Sequence, residues 1–219
     1  LRTKGYELVL GWRDSFKLAG STFSYGITGT FSDYTAEYTK CDNPSGLIGG
    51  PYVGKKYGEI WGYKVDGLFR NDEEAAEYAS RVDLSKVAAG YYSATGAYGK
   101  GVRGGDIKYL DLNGDGVVDS YDVKPIGYTN VPEIVYGFGF SLQWKAFDFS
   151  AFFQGVGHVN FSTRTDQTQG FIARNSREAN LFSDVYDNYW TPERLDAKYP
   201  RLFIGTNNNN NQNSSFWMA

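Results

Sequence analysis

The chain holds one cysteine, one histidine and one methionine among its 219 residues. A lone Cys41 can form neither an internal disulfide nor a cysteine-based zinc cluster. A lone His158 makes histidine-rich metal sites and most histidine-dependent catalysis improbable. Neither sign of charge dominates: 22 Lys and Arg stand against 25 Asp and Glu, a net of −3, so a nucleic-acid partner, which would need a basic face, is not expected. Apolar runs stop after a few residues, far short of the ~18–20 that a membrane helix needs. What the chain has instead is glycine (27), tyrosine (18), phenylalanine (15) and tryptophan (5). Rich in glycine and aromatics and poor in cysteine, it is expected to be all-β with turns.

Four segments alternate with period two, the pattern of a half-buried strand. Tyr6, Leu8, Leu10 and Trp12 fall on one face of the first segment; Phe23, Tyr25, Ile27, Gly29 and Phe31 fall on one face of the second. In the third, Tyr136, Phe138, Phe140, Leu142 and Trp144 oppose Gly137, Gly139, Ser141, Gln143 and Lys145. In the fourth, Phe147, Phe149, Ala151 and Phe153 oppose Asp148, Ser150, Phe152 and Gln154. Strands are therefore expected near 6–13, 23–38, 134–145 and 147–161. Roughly ten residues (Arg13–Thr22) would join the first pair and two (Lys145, Ala146) the last, while long loops occupy residues near 39–132 and 162–219.

Antiparallel strands place both short connections at one end and both long ones at the other. Apolar-out strands with small polar residues inward, short turns at one end and long loops at the other describe a transmembrane barrel. Nine residues rising ~3.3 Å each and tilted ~40° span roughly 23 Å, near the ~25 Å apolar band of such barrels. Trp12 and Trp144 are expected at the short-turn end, where an aromatic girdle lies. The competing architecture is a soluble β-sandwich, whose strands also alternate. Four strands leave two open edges, and unpaired amides are not tolerated in hydrocarbon, so a barrel reading implies further strands from a longer chain.

One motif carries sharp chemistry. Asp111, Asn113 and Asp115 at positions 1, 3 and 5, Gly116 at 6 and Asp122 at 12 fit the calcium-loop template. In it Val117 supplies a carbonyl and Asp119 acts through water, while Asp122 replaces the usual glutamate with a shorter arm. Extended residues at Ile107–Leu110 and the helix-breaking Pro125 argue for an isolated loop with a structural ion, not a paired EF-hand. The alternative is a polar turn held by Asp and Asn side chains without an ion. Nearby, Asn71 followed by Asp72, Glu73 and Glu74 reads as the capped start of a helix.

The runs Gly58-Glu59-Ile60-Trp61-Gly62-Tyr63, Asp66-Gly67-Leu68-Phe69 and Gly105-Asp106-Ile107-Lys108-Tyr109, leading into the acidic loop, resemble the SusC/RagA family of TonB-dependent outer-membrane transporters. The resemblance continues through Ile126-Gly127, Pro132-Glu133-Ile134, Tyr136-Gly137-Phe138, Phe147-Asp148-Phe149-Ser150 and Phe153-Gln154-Gly155. It reaches Asn188-Tyr189-Trp190-Thr191-Pro192-Glu193 and Ala197-Lys198-Tyr199-Pro200-Arg201. It implies that residues 1–219 are part of one 22-stranded β-barrel domain in the outer membrane. It also implies a SusD-like surface lipoprotein, energy from TonB through a segment outside this chain, and uptake of oligosaccharides or peptides.

The loop aromatics Trp61, Tyr63, Tyr91, Tyr92, Trp190 and Trp217 suit either sugar stacking or stapling of a loop to its neighbours. No pair of carboxylates is singled out for hydrolysis, and His158 has no serine or cysteine motif beside it, so no enzyme is expected. Asn207–Asn211 with Gln212 and Asn213 reads as low complexity, a mobile surface loop. The rival function is a soluble, calcium-stabilised β-sandwich that binds a glycan or a protein partner.

Overall fold

In the computed structural model, residues 1–43, 52–88, 101–165, 168, 181–202 and 209–219 are described. Their contacts divide the chain into two units.

The first unit, residues 1–43, 52–59 and 128–160, is one antiparallel sheet. Its strands are β1 (Arg2–Leu18), β2 (Ser21–Glu37), β7 (Ile134–Trp144) and β8 (Phe147–Gly157), in the order β1-β2-β7-β8. Register explains why the alternating faces agree. Across the four strands Trp12 pairs with Ile27, Ile27 with Phe140 and Phe140 with Ala151. In the same way Leu10, Gly29, Phe138 and Phe153 form a row, so the aromatic-rich rows share one face. That face is open: Trp12, Tyr136, Phe138 and Phe149 are each about half exposed or more. Among the described residues no second sheet of the unit covers it, unlike the packed inner faces of a sandwich.

On the opposite face glycine and hydroxyl residues dominate, with two aromatics, Tyr34 opposite Gly5 near the far end of β2 and Phe152 in β8. Phe152 lies over Gly137 and Gly139, where an added Cβ would meet its ring at 2.7 and 3.1 Å. The two glycines thus make room for that ring.

Two sequence expectations are corrected here. Residues Arg13–Thr22 are not a ten-residue connection: β1 runs on to Leu18, and the turn is Ala19-Gly20, both at positive φ as a tight hairpin requires. The interruption that ended the apparent strand is Asp14, a polar residue on the apolar face opposite Tyr25. Consequently Trp12 lies mid-strand. Only Trp144 sits by the turns, donating from Nε1 to Leu18 O at 3.2 Å. At the other end β8 stops at Gly157 because His158 takes φ +50.

The second unit holds residues 60–127 and 161–219. Two short ribbons, β3 (Ile60–Gly62) with β6 (Lys124–Gly127) and β4 (Val65–Leu68) with β5 (Ile107–Tyr109), accompany helix α1 (Asp72–Arg81). A shorter helix, α2, covers Ser183–Asn188. As the sequence predicts, Asn71 caps α1, accepting from Glu74 N at 2.8 Å. The core gathers Phe69, Ala75, Leu84, Val87, Ile107, Tyr109, Val118 and Trp217.

Candidate functional site

The second unit is organised around a buried carboxylate. Asp106 has no exposed surface. It receives Arg201 Nε at 2.8 Å and Nη2 at 3.3 Å, Asn210 Nδ2 at 2.9 Å and the Arg103 backbone N–H at 2.9 Å. Asn210 in turn accepts from Ile107 N at 2.8 Å, and Asn209 donates to Ile107 O at 2.9 Å. Tyr109 donates its hydroxyl to Asn209 O, and Trp217 Nε1 donates to Asn210 O at 3.0 Å. Burial pushes the Tyr109 phenol well above its ordinary range, keeping it a neutral donor. The asparagine run is therefore, at Asn209 and Asn210, not a surface loop: both side chains are buried and read the backbone of β5. Composition hid this, because an amide donates and accepts equally well to solvent and to a strand. Residues 207 and 208 lie outside the described residues.

Lys108 ties β5 to α1. Its ammonium reaches Asp66 and Glu74, each at 3.0 Å. Although burial opposes the charge, those two carboxylates hold the lysine above its usual pKa. The Arg70 backbone N–H, and then Lys108, hold Glu74 below its usual pKa.

The residues expected to ligate calcium form a compact loop, but their oxygens are turned to its own amides. Asp111 accepts from Gly114 N at 2.7 Å and Gly116 N at 2.8 Å, and Asp115 from Val117 N at 2.9 Å. Asn113 accepts from Asp115 N at 3.0 Å. Asp122, fully buried, accepts from Leu112 N and Asp119 N at 2.8 and 2.9 Å, completing a capping box with Asp119. Val117 is drawn into a bridge with Asp83. Among the described residues no three His, Cys, Asp or Glu side chains are grouped as a metal cluster would require. Gly116 at position six does take φ +83, the sharp turn that the template asks of that glycine.

The aromatics divide by role. Tyr63 packs 5.4 Å from Tyr109 and Trp217 is buried, so these two act as staples, while Trp61 is held through its backbone carbonyl, which accepts from Asn213 Nδ2 at 3.0 Å. Tyr91 and Tyr92 lie outside the described residues. Trp190 differs. Its ring rests on Gly104 and Gly105, where a Cβ at Gly105 would fall 2.4 Å from the indole and the backbone holds φ +81. Trp190 also lines an open groove of about 520 Å³ with Arg70, Asp72, Glu73, Arg103 and Leu195.

In the first unit His158 is more than an isolated polar residue. Its ring stacks on Tyr128 at 4.4 Å, and its Nδ1 lies 3.5 Å from the buried Glu133 carboxylate, which Lys56 also approaches at 3.9 Å. This cluster ties residues 56, 128 and 133 to the end of β8.

No family model matches the chain. TonB-dependent receptor P26 of Formosa agariphila is 36% identical over 98 residues, which cover 44% of this chain and 9% of that protein. TonB-dependent receptor P39 of the same organism is 23% identical over 232 aligned residues, covering 95% of this chain and 22% of that protein. The chain thus spans only a small part of these curated relatives. Among solved structures, the RagAB peptide transporter matches 91% of this chain and 20% of its own, with a TM-score of 0.51 and 14% identity, a likeness of fold. The expectation of no enzyme agrees with relatives named as receptors and a transporter. In sequence the chain matches segments of TonB-dependent receptors, and in fold it matches a segment of the RagAB peptide transporter.

Proposed function

We propose that the chain is part of an outer-membrane, TonB-dependent importer of oligosaccharides or peptides that works with a SusD-like lipoprotein. The observation that carries the reading is the sheet β1-β2-β7-β8. Its apolar face is aromatic and uncovered, as lipid contact requires, and its other face is small and polar, as a lumen wall requires. The rows of backbone amides on β1 and β8 would be paired by further strands of a closed barrel, as hydrocarbon demands. The two connections following β2 and β8 would then be extracellular, on the side where substrate and lipoprotein arrive. TonB would act through parts of the receptor beyond this chain. Calcium in the 111–122 loop belongs to the same proposal, supported by the register of its oxygen-bearing residues and by the turn at Gly116.

The test is fractionation of the native envelope with an antibody against residues 58–130. The reading predicts an outer-membrane band far larger than 24.5 kDa whose mobility shifts on heating. A soluble band near 24.5 kDa refutes it and favours the glycan- or protein-binding soluble domain.

A further inference from the structure

We propose that the groove beside Trp190 is a subsite for one uncharged sugar ring of an oligosaccharide. The proposal deepens the importer reading and rests on it for its place in the cell. The groove's volume, about 520 Å³, falls within the range of small-molecule sites, ~300–1,000 Å³.

Its charges select the ligand class. Arg201 is committed to Asp106 in a two-point pair. Four charged side chains remain on the rim, Arg70 and Arg103 against Asp72 and Glu73, two of each sign. An anionic ligand attracted by the arginines is opposed by the carboxylates, and a cation meets the reverse. A hydroxyl group accepts from guanidinium and donates to carboxylate, so a ring of vicinal hydroxyls satisfies both kinds of partner with charge-assisted hydrogen bonds. Among the described residues neither the Arg70 nor the Arg103 guanidinium has a hydrogen bond or ion pair of its own. Trp190 Nε1 is likewise buried without an acceptor.

The apolar wall completes the match. Trp190 and Leu195 offer surface for the C–H face of a sugar, and bare backbone at Gly104 and Gly105 seats the indole. Trp190 N donates to Tyr199 O at 3.0 Å and Arg201 N to Gly105 O at 2.9 Å, so the wall is fixed to the buried Asp106 network before any ligand arrives.

The experiment uses the whole receptor, purified in detergent, on an array of neutral gluco-, manno-, galacto- and xylo-oligosaccharides, with tetragalacturonate and tetra-alanine beside them. At least one neutral oligosaccharide is expected to bind, and Arg103→Gln and Trp190→Ala are each expected to weaken it roughly tenfold or more. Arg103 is exposed, so its variant keeps the test informative if Trp190→Ala unfolds the unit. Failure of every neutral oligosaccharide to bind overturns the subsite. So does binding confined to tetragalacturonate or the peptide, or neutral binding that Arg103→Gln leaves unchanged. Loss of the heat-shifted outer-membrane band would instead refute the importer reading, whatever the array shows.

Discussion

Replacing Asp106 by asparagine is the sharpest perturbation of the second unit. The change is nearly isosteric, so no cavity forms, yet it removes the charge that faces Arg201. The guanidinium side chain is only 16% exposed and would keep its positive charge without a counter-charge. The new amide must also place an NH₂ toward either Arg201 or the Arg103 N–H, both donors. Breaking one partner of a buried pair in this way costs about 3–5 kcal/mol. Hydrogen exchange on the whole receptor reads this directly. The Ile107 and Tyr109 amides should exchange roughly a hundred- to several-thousand-fold faster, since each 1.4 kcal/mol is about a factor of ten. Amides of β7 in the first unit serve as the internal reference. The double variant Asp106→Leu with Arg201→Met should recover only part of the loss, because the unpaired cation is gone while Asn210 Nδ2 and the Arg103 N–H still lack their acceptor. Exchange at Ile107 unchanged in Asp106→Asn would refute the claim that this pair organises the unit.

Three other outcomes are expected. Asp111→Ala removes the acceptor of two loop amides and should cost about 1–3 kcal/mol locally, and protease cleavage within 107–122 should rise. If a chelator leaves cleavage of the native receptor unchanged, the calcium proposal fails. Gly137→Leu should crowd Phe152 and lower the temperature at which the heat-shifted band appears, whereas the same change at Gly11, which has open space, should not. For Glu74 the folded pKa is lowered, so its contribution is complete above the usual carboxyl value of 4.5 and is lost as pH falls through the lower folded value. Acid should therefore loosen α1 in the native receptor, and Glu74→Gln should flatten that pH dependence in proteolysis of residues 70–81.

Local pattern alone determined the strands and their faces. Period-two alternation is a property of the extended backbone, so Phe138, Phe140 and Leu142 announce their common face without knowledge of their neighbours. The cap at Asn71 was equally legible, because its partner Glu74 is three residues away. Where a single residue broke the period, as Asp14 does, the strand was cut short although register carried it on to Leu18. The acidic loop shows the intermediate case. Its spacing was visible, but the direction of each oxygen was not, and the fold turns Asp111 and Asp122 to backbone amides.

What only the tertiary structure decided are contacts that span about a hundred residues. Asn210 meets Asp106 and Ile107, Arg201 meets Asp106, and Trp190 settles on Gly104 and Gly105. Such pairs leave no periodic trace, because each is a single side chain satisfying a single buried group. The physical reason is burial itself: an asparagine, an arginine or an indole suits water as readily as a partner. Only when the chain closes and removes water does the difference between a loop residue and a keystone appear.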